Sequence, residues 1–499
     1  MGSAEFNVPL IIRGRLIEDA ELEFGGRGGD VRFSTADVRK HLGELVLRAP
    51  SALEDLYCLS FGELLDFMSE LGSRLVLERN PHLEAAFELS RRTSGLTDEL
   101  LRNVYRSLPR LLERRYLETM IERSVGVRAL EGWVEERLPN GARVAVRAFG
   151  ARSVHIVAGN NPGVSALTLA RVALTRSDAI IKSPSNDPLT ANALVRTMVE
   201  MAPTHPITRH LSVAYWKGGD AAIEEPLYQP QNIEKIVAWG GLASVRHITR
   251  YIQPGIDLIT LDPKLSSTII AAEAFRDEPT MREVAERLAH DVGAGNQEGC
   301  VNARVVYIQT GTDEAGLARA NRFGQLLLEA IGALPAHVSG PAKRLERELA
   351  EELEAVRLAS DEHRVFGGGR GGAVIVSQSS EPVDFARLLT NRVANLVPVD
   401  DLETPIRSVN AYTQTIGIYP EALKERIRDR LAFHGAQRLV SLGYASNAGV
   451  MSLAGPQDAI EPLRRMCRWI IDESSAPELQ PLAGRLPPVA AAGPTGATK

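Results

Sequence analysis

The stretch Val154-His155-Ile156-Val157-Ala158-Gly159-Asn160-Asn161-Pro162-Gly163, continued by Ala179-Ile180-Ile181-Lys182-Ser183-Pro184-Ser185-Asn186-Asp187-Pro188, decides the fold. Each half is a short apolar run that ends in a polar turn with proline. Each turn leads into apolar residues at helical spacing, Val164 to Leu174 and Leu189 to Met201. Strand, turn and helix repeated in this way make βαβ units, which require parallel strands. The alternation runs on through Leu211–Tyr215, Lys235–Trp239 and a helix through Ala243–Tyr251. The expected class is α/β, with a parallel sheet of the Rossmann kind.

A second α/β segment follows Cys300, with helices expected over Ala315–Ile331 and Ala342–Leu358 and strands over Ala373–Val376 and Tyr412–Ile418. On the amino-terminal side, Val31 to Ser124 is rich in Leu, Glu, Arg and Ala at helical spacing, broken by Pro50, Pro81 and Pro109, and reads as packed helices. Between the two textures, Glu136 to Val146 alternates apolar and polar residues around Asn140-Gly141, the signature of a β-hairpin. From Ser474 onward, Pro477, Pro481, Pro487, Pro488 and Pro494 stand among alanines and glycines, a composition expected to be disordered.

With 499 residues and 44% hydrophobic composition, the chain can bury ample core. A net charge of -6 without any basic block argues against a nucleic-acid surface. Three cysteines cannot make a disulfide framework, no run is long enough to span a bilayer, and Met1 to Arg13 lacks the apolar core of a signal peptide. These features predict a soluble, cytoplasmic protein.

Cys300 closes the run Gly293-Ala294-Gly295-Asn296-Gln297-Glu298-Gly299, between a helix predicted over Pro279 to Asp291 and the apolar stretch Val305-Val306-Tyr307-Ile308. A lone cysteine is most often a small buried hydrophobe. Here three flanking glycines allow backbone amides to approach a bound group, as an oxyanion hole requires, so Cys300 reads as a nucleophile. Cys58 and Cys467 lie in helical-looking segments, Leu53–Leu75 and Ala459–Ile471, and read as structural.

Three strand ends carry ligand-like residues. Lys182, in a chain poor in lysine, follows Ala179-Ile180-Ile181, where a cation reaches ribose hydroxyls or phosphate; a solvated lysine after an edge strand reads the same locally. Asn160 ends the preceding strand, and its amide could donate to an oxyanion, although Asn-Pro-Gly is also an ordinary turn. Gly240-Gly241 follow Val237-Ala238-Trp239 and open a helix, which suits a pyrophosphate. Other motifs fail. Gly367, Gly369 and Gly372 have dinucleotide spacing but precede a strand, and so read as a loop. No Gly-Lys-Ser/Thr loop or Gly-x-Ser-x-Gly elbow occurs, and His247, His290 and His363 lack metal-ligand spacing, so no metal is expected.

Taken in order, these segments resemble the aldehyde dehydrogenase superfamily. Gly159-Asn160-Asn161-Pro162 through Lys182-Ser183-Pro184-Ser185-Asn186-Asp187-Pro188-Leu189-Thr190-Ala191 is similar to its asparagine turn and Lys-Pro-Ser-x-x-Pro-Leu-Thr-Ala stretch. Trp239-Gly240-Gly241 is similar to its Phe-Thr-Gly-Ser turn, and Gly295 to Cys300 with Arg304 to its nucleophile segment. Within the superfamily the chain resembles the LuxC family of acyl-CoA reductases over roughly Leu45 to Asp472. The helical amino-terminal region and the closing Gly455-Pro456-Gln457-Asp458-Ala459-Ile460, Leu463-Arg464-Arg465-Met466 and Trp469 carry that likeness.

The resemblance implies two Rossmann-like parallel-sheet domains. It divides the chain into a helical region at 1–130 belonging to the cofactor domain, an oligomerisation hairpin at 131–150 and a dinucleotide-binding domain at 151–276. A catalytic domain at 277–440, a segment at 441–473 packing back on the fold and a tail at 474–499 complete it. It further implies reduction of a long-chain acyl thioester, on coenzyme A or a carrier, through an acyl-Cys300 intermediate, with Asn160 in the oxyanion hole. Lys182, Ser185, Asn186, Gly240 and Gly241 would bind the cofactor. A homodimer or homotetramer and an acyl-transferring partner enzyme fit the same picture.

Departures sharpen the expectation. Hydrolytic aldehyde dehydrogenases carry a water-activating glutamate about thirty-four residues before the nucleophile. The corresponding stretch, Thr260-Leu261-Asp262-Pro263-Lys264-Leu265-Ser266-Ser267, has none unless Asp262 substitutes, and an acid before proline is a common turn former. Where many NAD-dependent members hold the ribose with a glutamate, this chain has Ser185 or Asn186. The missing carboxylate permits NADPH, with NADH still possible. The family's nicotinamide-ribose glutamate has no counterpart near Asn391-Arg392-Val393-Ala394-Asn395-Leu396. The alternatives are an oxidising NAD(P)-dependent aldehyde dehydrogenase and a non-catalytic scaffold.

Overall fold

The structure, a computed structural model, describes residues 5–139, 142–261, 264–359, 361–446 and 461–474. Its first large sheet has seven strands in the order Asp257–Leu261, Lys235–Trp239, Arg152–Ile156, Asp178–Lys182, Leu211–Ala214, Leu10–Ile12 and Arg15–Ile17. The first five are parallel, as the βαβ reading requires, and the last two form an antiparallel edge. Chain order reverses between Arg152–Ile156 and Lys235–Trp239. Such a reversal opens a crevice at the carboxyl ends of the two strands, and the Asn160 and Gly240 turns sit there.

The connecting helices Gly163–Leu174 and Thr190–Met201 are buried over most of their length, polar residues such as Thr168, Asn192 and Thr197 included. The amino-terminal helices cover them and share one core with them, among others Phe61–Arg74, with a Ser60/Glu63 capping box, and Pro81–Thr93, capped by Asn80. This region is not wholly helical. Arg32–Thr35 is a strand between Phe6–Asn7 and Leu22–Gly25, with Phe33 fully buried. Its short alternating run satisfies a sheet better than one helical turn.

The second seven-stranded sheet runs His363–Gly367, Ala373–Ser377, Val393–Pro398, Ala303–Ile308, Leu265–Ile270, Thr413–Tyr419 and Arg438–Ser441. All are parallel except His363–Gly367, which pairs antiparallel with Ala373–Ser377. Gly367, Gly369 and Gly372 therefore turn a hairpin, each with positive φ. The helix expected from Ala342 starts only at Arg347, after Lys343 has been drawn to the Arg91 carbonyl and to Asp98.

A third sheet joins Val134–Arg137, Arg143–Phe149 and Arg468–Ser474, all antiparallel. The hairpin strands thus form as expected, while Asn140-Gly141 lie outside the described residues, as do Asp262, the tail beyond Ser474 and the Gly455–Ile460 motif. The helix expected across Cys467 is overturned. Glu461–Met466 is helical, but Arg468–Ser474 is a strand because Trp469-Ile470-Ile471 pairs with Arg147 and its neighbours. No helix among the described residues is long and apolar enough to cross a membrane.

Candidate active site

The helix Glu278–Gly293, capped by Asp277 and carrying Pro279 in its first turn, delivers the chain to the nucleophile loop. Gly295, Asn296 and Gln297 then take φ of 62°, 52° and 63° in succession. Two non-glycine residues in the left-handed region cost free energy, so side-chain anchors must hold them. The Asn296 carbonyl oxygen accepts from the Gly340 N–H at 2.9 Å and the Ser339 hydroxyl at 3.1 Å. The Gln297 amide donates to the Ala303 and Val393 carbonyls and accepts the Val393 N–H, within 2.8–2.9 Å. Asn302 accepts from the Gly299 N–H and donates to the carbonyls of Asp291 and Ala294. Gly299 fits because an added Cβ would stand 2.9 Å from the Asn302 oxygen.

Cys300 emerges half-buried from this clamp. Burial pushes its thiol up, and the Gln414 amide, the Arg304 guanidinium and the N–H groups of Cys300 and Val301 pull it back toward the thiolate. Arg304 is itself anchored, through Nε to the Leu389 carbonyl at 2.9 Å. Ser266, buried at the amino end of its strand, donates to the Cys300 carbonyl at 2.6 Å and accepts the Thr415 N–H at 3.2 Å. The carboxyl of Glu298, raised chiefly by burial, is paired electrostatically with Arg304.

Asn160 reaches across from the first sheet, its Nδ2 donating to the Glu298 carbonyl at 3.1 Å. One amide hydrogen is spent on that bridge, two residues from the nucleophile, and the other has no partner among the described residues. The structure thus brings Asn160 and Cys300 to one seam.

Lys182 ends its strand with Nζ 5.3 Å from the Trp216 ring and 5.9 Å from that of Tyr215. Burial pushes its ammonium down to about 8 against the pull of Glu224. That carboxylate is already engaged by Trp216, Gly219, His247 and Tyr251. Lys182 has no hydrogen-bonding or ion-pairing partner among the described residues, a half-buried cation suited to an anionic or hydroxyl-bearing ligand. Gly241 is the N-cap of Leu242–Thr249, has no side-chain cap and leaves open space where a Cβ would be, so the helix start can receive a phosphate. Both features fit a nucleotide cofactor.

Asn186 is placed differently from Ser185. Its Nδ2 donates to the Gly159 carbonyl at 2.9 Å, closing the Asn160 turn onto the Lys182 loop, while Ser185 is half-exposed with no partner among the described residues. Asp187 is buried and accepts from Thr190, so that loop turns no carboxylate toward a ligand. No cluster of potential metal ligands occurs among the described residues. Ser266 and Gln414 belong to no motif of the sequence. The available signal was the polar run Thr413-Gln414-Thr415 opening a strand that is buried throughout.

The family model described as acyl-CoA reductase (LuxC) matches residues 59–469. The long-chain acyl-protein thioester reductase of Photorhabdus laumondii is 31% identical over 369 residues, 72% of this chain and 70% of that protein. Its namesake from Vibrio harveyi is 25% identical over 482 residues, 94% of each chain. Among solved structures, lactaldehyde dehydrogenase from Escherichia coli shares the fold with a TM-score of 0.69 at 14% identity, covering 94% of this chain and 100% of that one. Aldehyde dehydrogenase 21 from Physcomitrella patens gives 0.70 at 11%, covering 95% and 99%. The chain belongs to the acyl-CoA reductase (LuxC) family of oxidoreductases and is built on the aldehyde-dehydrogenase fold.

Proposed function

We propose that this protein reduces a long-chain acyl thioester, carried on coenzyme A or on a protein thiol, to the aldehyde, with Cys300 holding the acyl group in between. Ser266 carries this reading. In the stretch where hydrolytic members of the fold keep a water-activating carboxylate, a short hydroxyl is spent on the nucleophile's own backbone. The charges that bear on the thiol, from Arg304 and Arg438, are both cationic. The described part of that stretch thus offers an acyl group on Cys300 no carboxylate to activate water, and the buried Glu298 carboxyl two residues away is drawn to Arg304.

The Cys300 thiolate adds to the thioester carbonyl, and the carrier sulfur leaves with its electron pair and takes a proton from solvent. The N–H groups of Cys300 and Val301, with the free amide hydrogen of Asn160, stabilise the oxyanion. Lys182, Ser185, Gly240 and Gly241 hold the nicotinamide nucleotide, and Asn186 braces their loop. Because that loop offers no carboxylate to a 2′-phosphate, NADPH is accepted. When bound, the nucleotide supplies the hydride that reduces the enzyme thioester. Cys300 then leaves as thiolate from the resulting thiohemiacetal anion, releasing the aldehyde.

The test follows NADPH consumption with a series of acyl-CoAs, with Cys300→Ala, and with aldehyde plus NAD. Turnover of long acyl-CoAs that vanishes in Cys300→Ala supports the proposal. Oxidation of aldehyde without reduction of any acyl-CoA would overturn it.

A further inference from the structure

The strands Leu265–Ile270 and Thr413–Tyr419 pair in parallel with a register break. Leu265 stands opposite Thr413, yet Ser267 stands opposite Ile416. One residue, Ser266, therefore faces two, Gln414 and Thr415. Such a bulge takes a side chain out of the strict alternation of the strand and re-aims it. Ser266 is also the residue whose hydroxyl holds the Cys300 carbonyl, so the bulge lies directly beneath the nucleophile.

Gln414 is 0% exposed, and neither polar atom of its side-chain amide has a hydrogen-bond partner among the described residues, while the amide favours the thiolate form of the neighbouring Cys300. A fully buried, unpaired primary amide is costly, about 1–3 kcal/mol for each unsatisfied group. An apolar side chain of similar volume would avoid that cost. Its backbone gives no reason for the polar choice, since the Gln414 carbonyl simply accepts the Gln437 N–H.

We infer that Gln414 is a catalytic residue, its amide placed by the bulge to donate to Cys300 Sγ and hold the sulfur as a thiolate before the acyl group arrives. This rests on Cys300 being the nucleophile. It also answers what activates a thiol that has no histidine beside it. The charged groups around the sulfur are Arg304, on the strand that follows the Cys300 loop, and Arg438, on the edge strand beside Thr413–Tyr419. Glu298 is drawn to Arg304, and Asp291 is bound to the Gly443 and Ala445 N–H groups near Arg438. Two cations and a neutral donor thus surround the thiol, and only the donor is free of other ties.

The experiment measures iodoacetamide alkylation of the Cys300 peptide by mass spectrometry across pH, in the full-length wild type and in Gln414→Met. The midpoint is expected to move up by about one pH unit, slowing alkylation near neutrality about tenfold while the high-pH plateau is kept. The melting temperature should hold or rise, because a buried amide whose oxygen has no partner is exchanged for a thioether. If Gln414→Met does not fold, Gln414→Asn, which withdraws the amide by one methylene, should show the same displacement. A folded variant with the wild-type midpoint would overturn the inference, whatever its stability. The nucleophile reading fails separately, through a Cys300→Ala variant that still turns over acyl-CoA.

Discussion

The Ser266 hydroxyl donates to the Cys300 carbonyl at 2.6 Å, tying the nucleophile's backbone to a strand whose other neighbour begins with Thr413. Through the Thr415 N–H the same oxygen fastens three strand starts at one point. The linkage sets where the sulfur stands without touching it.

Ser266→Ala should therefore leave the Thr415 N–H and the Cys300 carbonyl unpaired in a buried place. The expected loss of stability is about 1–3 kcal/mol. Acylation by acyl-CoA should slow by at least about tenfold, since small misplacements of a reacting atom are expensive. Denaturant unfolding and single-turnover acylation check both. A variant with wild-type acylation would show that the thiol's position does not depend on this hydroxyl.

Much of the fold is legible in the sequence. Proline-ended apolar runs gave the parallel strands, and helical periodicity from Met281 to Leu288 led correctly into the Cys300 loop. What escaped depended on partners distant in sequence. The bulge that sets Gln414 and Thr415 together opposite Ser266 arises because Leu265–Ile270 is one residue short there, which no local pattern encodes. Trp469-Ile470-Ile471 fits a helix or a strand equally well, and pairing with Arg143–Phe149 decided between them. Asn186 is expected at the ribose, and that its Nδ2 donates to a glycine carbonyl twenty-seven positions away is a contact that local sequence does not announce.

Lys182 gives a pH dependence with a definite sign. Burial sets its ammonium at about 8, so in the free enzyme the charge is present below that pH and lost above it. The kcat/KM for NADPH should fall as pH rises through 8, while kcat at saturating cofactor changes less. Lys182→Arg keeps its charge and should remain flat through this range. An unchanged alkaline limb in Lys182→Arg would show that another group governs cofactor capture.

Asp187 controls stability rather than turnover. Burial raises its carboxyl from 3.8 to about 6, and one oxygen has no partner while the other accepts from Thr190. The folded state thus holds this proton more tightly than the unfolded chain. The stability it contributes is full below about pH 4 and is lost as pH rises through 6. Asp187→Asn cannot ionise, so its stability relative to wild type should improve by about 1 kcal/mol between pH 5 and pH 7.5. Urea unfolding at the two pH values measures this difference. A constant difference would mean that the carboxyl titrates alike in both states.

The three-stranded sheet of Val134–Arg137, Arg143–Phe149 and Arg468–Ser474 has two outer strands whose far edges pair with no other strand among the described residues. Ile471 is 62% exposed on one of them, and Ile470, Trp133 and Leu138 are also exposed in this region. Open strand edges bearing apolar side chains invite pairing with another chain, and natural proteins charge them, cover them or use them. The Ile471 side chain carries no charge and is largely uncovered within one copy, so the expected use is self-association. Ile471→Lys should shift sedimentation toward a smaller species, with the monomer's own stability changed by no more than about 0.5 kcal/mol, as for other exposed positions. Removing the hairpin should do the same beyond the mass lost. If both variants sediment as the wild type does, the assembly contact lies elsewhere.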